Sequence, residues 1–223
     1  MSFSDRAAVA EYAANVVRQV PGVHALHRMA HVLLDEHVPA DGNVLVLGAG
    51  GGMELAAFAD CSPGWRFTGV DPSAEMLALA TRTLGPHASR VDLIHGYIAS
   101  APDIAFDGAT CLLTLHFLDR DARLDTLREL RRRLKPGAPL VIAHHSVPDD
   151  VVEKRRWFRR WAAFAAVDSL STGEASERAD MMASRLPTLS PEAETAILQE
   201  AGFERPRLFY AALTFRGWVA YAG

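Results

Sequence analysis

The sequence is short of cysteine, of net charge and of long apolar runs, and each shortage removes a class of protein. Only Cys61 and Cys111 are present, too few for a disulfide framework; both read as buried thiols of a reducing compartment. The net charge of −4 supplies no bulk attraction for nucleic acid, so no nucleic-acid partner is expected. No run of about 18 apolar residues exists, so no transmembrane helix is expected. The start, Met1-Ser2-Phe3-Ser4-Asp5, has no basic region followed by an apolar run, and no signal peptide is expected. With no repeat and no low-complexity stretch, the expected location is the cytoplasm.

What is there suits one α/β domain. The chain has 223 residues, 49% of them hydrophobic, enough for a sizeable core. Val9, Tyr12, Ala13, Val16, Val17 and Val20 recur at helical spacing, with Ser4 as the expected cap. Pro21-Gly22 breaks that helix, and a second presents Leu26, Met29, Ala30 and Leu33. The pattern then changes to short apolar runs ended by turn residues, as in strands buried on both faces. These runs are 43–47, 65–70, 91–95, 109–115 and 139–143, alternating with helices over 53–60, 74–84 and from Asp119 or Asp121 to about Lys135. The alternation predicts a Rossmann-like, seven-stranded, mostly parallel sheet with helices on both faces. Runs 208–210 and 218–221 should form a final hairpin whose last strand is antiparallel. The expected organisation is a single domain over 1–223. It comprises an N-terminal helical cap (1–40), a cofactor-binding core (41–147), a helical insert after strand five (148–188), and a C-terminal helix and hairpin (189–223).

Ligands of such sheets sit beyond the carboxyl ends of the strands, where strand order reverses. The first strand runs into Gly48-Ala49-Gly50-Gly51-Gly52, which permits a tight turn and close approach of a ligand. Asp71, nineteen positions after Gly52, stands at the second strand end, where a carboxylate can accept two ribose hydroxyls. Tyr97 and Ile98 follow the third strand and can flank an adenine. A nicotinamide dinucleotide competes for the same features, but its fingerprint requires a third glycine where this chain has Met53.

Together with Val70-Asp71-Pro72-Ser73 and Met76, Phe106-Asp107, Leu134-Lys135-Pro136-Gly137 and Ala201-Gly202-Phe203, these motifs resemble the class I S-adenosylmethionine-dependent methyltransferases over nearly the whole chain. The resemblance implies S-adenosylmethionine as cofactor. It implies that Gly48, Ala49, Gly50 and Gly52 meet the methionine part, Asp71 the ribose, and Tyr97 and Ile98 the adenine, with Pro72, Met76 and Thr114 completing the site. Within the family, Arg18 to Gly22, Leu115-His116-Phe117-Leu118, the insert length and Leu189-Ser190 look most like the carboxy-S-adenosylmethionine synthases. Those act with prephenate, before tRNA wobble-uridine modification. Three positions depart from the pattern. Val23 stands where those synthases have an aromatic. Ala179, beside Arg178, stands where they use an arginine for the cofactor's carboxylate. Val46 stands where the wider family often has an acid. The first two favour ordinary S-adenosylmethionine.

Methyl transfer chiefly needs alignment; a base is needed only if the acceptor must lose a proton. His116 past strand four, and His144 and His145 at the end of strand five, are the candidate bases. The histidine pair alternates faces, so no metal site is expected. In the insert, Lys154, Arg155, Arg156, Arg159 and Arg160 interleave with Trp157, Phe158, Trp161 and Phe164. Stacking on nucleic acid is one reading; the preferred one is an amphipathic helix with Trp157, Trp161 and Phe164 on one face and a solvated basic face. By resemblance this region pairs two copies into a homodimer. The expected activity is a methyltransferase acting on a small-molecule acceptor beneath the insert as a lid. The alternatives are the carboxylated-cofactor synthase and a non-catalytic cofactor-binding dimer.

Overall fold

The computed structural model describes residues 12–166 and 172–223; Ser4 and Val9 lie outside them, as do the side chains of Tyr12 and Ala13. The strands are β1 (Asn43–Leu47), β2 (Arg66–Asp71), β3 (Val91–His95), β4 (Gly108–Leu112), β5 (Pro139–His145), β6 (Phe203–Ala212) and β7 (Phe215–Ala222). Their order is β3-β2-β1-β4-β5-β7-β6. Pairings from β3 through β5 are parallel, and β7 alone runs the other way, between β5 and β6. This is the expected sheet, with its strand order reversing at β1 and β4.

The helices are α1 (Tyr12–Gln19), α2 (Val23–Asp35), α3 (Met53–Cys61), α4 (Ala74–Leu84), α5 (Arg120–Arg132), α6 (Val151–Ala165), α7 (Thr172–Arg185) and α8 (Pro191–Glu200). They divide between the two sheet faces. Leu26, Leu34, Leu55, Phe58, Leu77 and Trp161 pack from α2, α3, α4 and α6 on one face. Leu124, Leu127, Leu130, Ile197 and Leu198 pack from α5 and α8 on the other. Side-chain caps fix where helices begin. Ser73 Oγ accepts from Met76 N (3.2 Å), Asp119 Oδ1 from Ala122 N (2.9 Å), and Asp150 Oδ1 from Val152 N and Glu153 N (3.0 and 2.9 Å). Each satisfies backbone donors that the first turn leaves open.

Two of the family-like motifs are a structural clip. Asp107 accepts from Asn43 N (2.9 Å) and from Lys135 Nζ (2.6 Å). Phe106 and Lys135 are further joined by Lys135 N donating to Phe106 O (2.9 Å). The clip seats the N-terminal ends of β1, β4 and β5, far from the strand ends that bind ligands.

Several expectations need correction. Cys61 is exposed, and Cys111 alone is a buried thiol. Val17 is 44% exposed, so the inner side is carried by Val16 of α1 and by Val20 just after it. The fourth strand ends at Leu112, and Leu115–Phe117 form a short 3-10 turn. The final hairpin is longer than its apolar runs, because edge strand β6 is interrupted by bulges around Arg205 and Leu208 that scramble its alternation. On α6 the buried face is Phe158, Trp161, Ala162 and Ala165, while Phe164 is 41% exposed. Burying Phe158 and Trp161, at about 2–3 kcal/mol each, decides the rotation of α6 and leaves Trp157 half-buried at the margin.

Candidate functional site

The glycine loop is shaped by backbone conformation and two close approaches. Gly48 and Gly52 have φ of 78° and 80°, a region that disfavours any side chain. A Cβ on Gly48 would lie 2.0 Å from Thr114 Oγ1, and one on Gly52 would lie 2.9 Å from Ala80 Cα. The loop is therefore pressed against the β4 exit on one side and α4 on the other. Gly48 N and Ala49 N donate to Val70 O (2.8 and 3.1 Å), which carries β1–β2 pairing into the loop.

Asp71 binds the parts together. Its Oδ2 accepts from Gly50 N and its Oδ1 from Ser73 N, both at 2.9 Å. Its carbonyl accepts from Gly96 N at 3.0 Å. One residue thus joins the loops after β1, β2 and β3. Burial raises its carboxyl pKa above the ordinary value, and the Ser73 and Gly50 N–H bonds oppose that rise. Each carboxylate oxygen has used one lone-pair direction and keeps another, so two ribose hydroxyls can still be accepted. Beside it, Pro72 is exposed, Met76 is buried, Ile98 is 8% exposed and Tyr97 is 71% exposed. An apolar wall and an open aromatic ring therefore flank the same loop. The Asp71 carboxylate and its apolar neighbours fit a nucleoside.

Beyond β4 the backbone is strained. Leu113 has φ of 58°, uncommon for a branched residue, and its N donates to Ala143 O at 2.6 Å. The strain turns the chain so that Thr114 covers Gly48 and His116 points inward. The three candidate histidines come together here. His116 lies 4.8 Å from His145 and 6.5 Å from His144 between ring centroids. His144 and His145 take opposite faces. His145 Nδ1 pairs with Thr214 Oγ1 (2.8 Å) and stacks on Phe215. His144 faces Trp218 and the carboxylate of Glu194. Among the described residues no group of three or more His, Cys, Asp or Glu converges to hold a metal.

Two buried charges sit behind these histidines. Arg123 of α5 and Glu194 of α8 are each 0% exposed and form an ion pair. Arg123 Nη2 also donates to Leu118 O (3.1 Å) and Pro187 O (2.9 Å). It therefore ties the turn carrying His116 to the segment that follows α7. His144 Nε2 stands 2.9 Å from Glu194 Oε1, without the direction of a hydrogen bond. Among the described residues, His116 Nδ1 and His144 Nδ1 are buried with no hydrogen-bond partner. Burial holds the His116 imidazole well below its usual pKa, helped by His145, His144 and Arg123. Burial and His144 push His145 down to about 3. Both rings are neutral at pH 7.

The signal for the charged pair was present in periodicity. Arg123 precedes Leu124 and Leu127 on the inner stripe of α5, and Glu194 lies three and four residues before Ile197 and Leu198. A charge on an apolar stripe is buried with a partner or misplaced. Glu54, buried on α3 beside Leu55 and Phe58, carries the same signal.

The departures also have locations. Val23 and Val46 are core residues, at 2% and 0% exposure. Ala179 is buried in α7, while the half-buried Arg178 guanidinium lies 5.2 Å from the Trp161 ring centroid.

A methyltransferase domain model matches residues 44–137, from β1 to the end of the α5 loop. The carboxy-S-adenosyl-L-methionine synthase of Chromohalobacter salexigens is 29% identical over 222 residues, covering 97% of this chain and 82% of that protein. The synthase of Klebsiella pneumoniae (strain 342) is 27% identical, covering 92% and 85%. Among solved structures, a putative O-methyltransferase from Nostoc punctiforme matches with a TM-score of 0.64 at 19% identity, over 88% of this chain and 56% of that one. Human N-acetylserotonin methyltransferase matches with a TM-score of 0.66 at 15% identity, over 99% and 57%. The chain spans little more than half of these two structures, which show the fold. With the glycine loop, the Asp71 strand end and the seven-stranded sheet, these matches support a class I S-adenosylmethionine-dependent methyltransferase family for this chain.

Proposed function

We propose that the protein binds S-adenosylmethionine at the β1–β3 edge of the sheet and transfers its methyl group to a small-molecule acceptor. The observation that carries this reading is Asp71, whose carboxylate clips Gly50 and Ser73 and keeps a free lone-pair direction on each oxygen for ribose hydroxyls. In this reading Gly48, Ala49, Gly50 and Gly52 hold the amino-acid end. Pro72, Met76, Tyr97 and Ile98 enclose the base, and Thr114 closes the loop from the β4 side. The sulfonium cofactor supplies an activated methyl with a good leaving group. The chain's task is to exclude water and set the acceptor in line with it.

His116, His144 and His145 stand on the acceptor side. His116 is the candidate to receive an acceptor's proton, because its Nδ1 is buried without a hydrogen-bond partner among the described residues; burial makes its ring a weak base, which suits only an acceptor that is itself readily deprotonated. α6 and α7 act as a lid, seated by Trp161 Nε1 donating to Gln19 O (2.8 Å) and by Lys154 Nζ donating to Leu186 O (3.1 Å). Within the described residues no helix is long and apolar enough to cross a membrane, and a small, diffusing acceptor in the cytoplasm suits the lidded site. A homodimer through this region would use the exposed Val151, Val152 and Phe164, since Phe158 and Trp161 are already packed within the chain.

A second reading, a synthase of carboxylated cofactor, is favoured by the names of the full-length relatives. Ala179 and Val23 weigh against it. The test is the mass of the ligand released when purified protein is denatured. S-adenosylmethionine or S-adenosylhomocysteine supports methyl transfer. A cofactor heavier by one carboxyl group supports the second reading, and a nicotinamide dinucleotide overturns both.

A further inference from the structure

Glu54 is a buried carboxyl group outside both the Asp71 contacts and the histidine cluster. It is the second residue of α3, two positions after Gly52, and its side chain is buried. Its Oε1 accepts from Thr110 Oγ1 at 2.5 Å. Thr110 is the register partner of Val46 across the β1–β4 pair. The carboxyl thus lies beside Val46, under the turn that begins at Gly48. Only 6% of Glu54 is exposed, and no ion pair among the described residues includes it.

Among the described residues no cation pairs with it. From β4 it meets Thr110 and Cys111, whose thiol its charge pushes up. On α2, which packs against α3, His24 and Arg28 are exposed and burial lowers the His27 pKa to about 4, leaving that ring neutral; the other basic groups there and on the Gly85–Arg90 turn are committed near the far end of α3. His31 pairs with Ser62 Oγ, His87 with Asp60, and Arg90 with the carbonyls of Ala59, Ser62 and Trp65. On α4, Glu75 turns to Ser73 Oγ and Arg82 is exposed. The other acid at the loop, Asp71, is held by Gly50 N and Ser73 N. Burial accordingly pushes the Glu54 carboxyl up to about 8 despite the Thr110 bond, so it is mostly neutral at pH 7. A buried carboxyl without a cation is costly, and this one stands where the proposed cofactor places its amino-acid end.

We infer that Glu54 is the counter-ion of the cofactor's α-ammonium group, reached from α3 beneath the glycine loop beside Val46. This rests on the cofactor reading above. On binding, Glu54 gives its proton to solvent and pairs with the ammonium, the reverse of its state in the free protein.

Titration calorimetry with S-adenosylhomocysteine at pH 6.5, in two buffers of different ionisation enthalpy, tests it. At that pH an α-amino group, with a pKa of about 7.7–8.0, is protonated, so its own titration adds little. Wild type is expected to release close to one proton more than Glu54→Gln, which retains an acceptor for Thr110. Glu54→Gln is expected to bind about tenfold more weakly, the scale of one charge-assisted hydrogen bond. Wild-type affinity should rise about tenfold from pH 6 to 7 while that of Glu54→Gln stays flat. 5′-Methylthioadenosine, which lacks the ammonium, should bind both proteins equally and release no proton from wild type, a control independent of the variant's folding. Equal proton release and equal affinity for S-adenosylhomocysteine would overturn the inference while leaving the cofactor reading intact. A loss seen with S-adenosylmethionine alone would assign Glu54 to the sulfonium and also overturn it. Failure of wild type to bind either nucleoside would remove the cofactor reading and the inference together.

Discussion

The two ends of the strand-edge site are built differently. At the β1–β3 end the key contacts are backbone ones: Gly48 and Ala49 to Val70, Gly50 and Ser73 to the Asp71 carboxylate, Gly96 to its carbonyl. At the β4–β5 end they run between side chains distant in sequence, with Arg123 and Glu194 separated by 71 positions. The first end holds a ligand whose shape is fixed, and short motifs suffice. The second is held by buried charge and by a strained Leu113, so its geometry depends on α5, α8 and the segment after α7 packing together. Damage to the first end should cost affinity, and damage to the second should cost stability.

The largest expected effect tests that division at the second end. Glu194→Gln leaves Arg123 buried without its counter-charge, which costs about 3–5 kcal/mol, or roughly 10 °C in melting temperature for a chain of this size. Thermal melts should show that loss, with affinity for S-adenosylhomocysteine unchanged below the transition. A comparable loss of affinity would mean that the two ends are not separable. At the first end, Gly52→Ala forces a Cβ to 2.9 Å from Ala80 Cα at a φ of 80°. About 1–3 kcal/mol of strain is expected there, read as an affinity loss of roughly tenfold or more by titration.

Protonation sharpens the same contrast. The Glu54 pKa is raised from 4.5 to about 8, so the free protein loses stability as pH climbs through that window, the unfolded chain releasing its proton first. Glu54→Gln should melt higher than wild type at pH 8, with the gap closing towards pH 4.5. His145 behaves in the opposite sense. Its pKa falls from 6.5 to about 3, so its contribution is present above 6.5 and is lost as pH drops towards 3. His145→Gln should flatten that acid limb by a few degrees, the smallest of these effects. A pH–melting profile that does not change in the variant would contradict the buried, neutral ring.

How much of this was legible in the sequence follows from the same difference. Gly48 to Gly52 and Asp71 are readable because a left-handed turn and a strand-end acid leave local signatures, and the clustered pattern of strands and helices gave the sheet. Thr110, Glu54, Arg123 and Glu194 announce only that a polar residue sits on an apolar stripe; their partners come from other elements. The histidines were readable as candidates, but not their burial, because Phe158, Trp161, Phe215 and Trp218 reach them from α6 and β7. The spacing on α6 misleads for a related reason. Trp157 and Phe164 are as apolar as Phe158, and only the core they meet decides which are covered.

The central claim is that Asp71 organises the cofactor end, and titration of Asp71→Ala with S-adenosylhomocysteine beside wild type tests it most directly. Removing two charge-assisted N–H bonds and the ribose acceptor together is expected to lower affinity about a hundredfold, with the fold retained by circular dichroism. An unchanged dissociation constant would contradict the account and move the cofactor away from the β2 strand end.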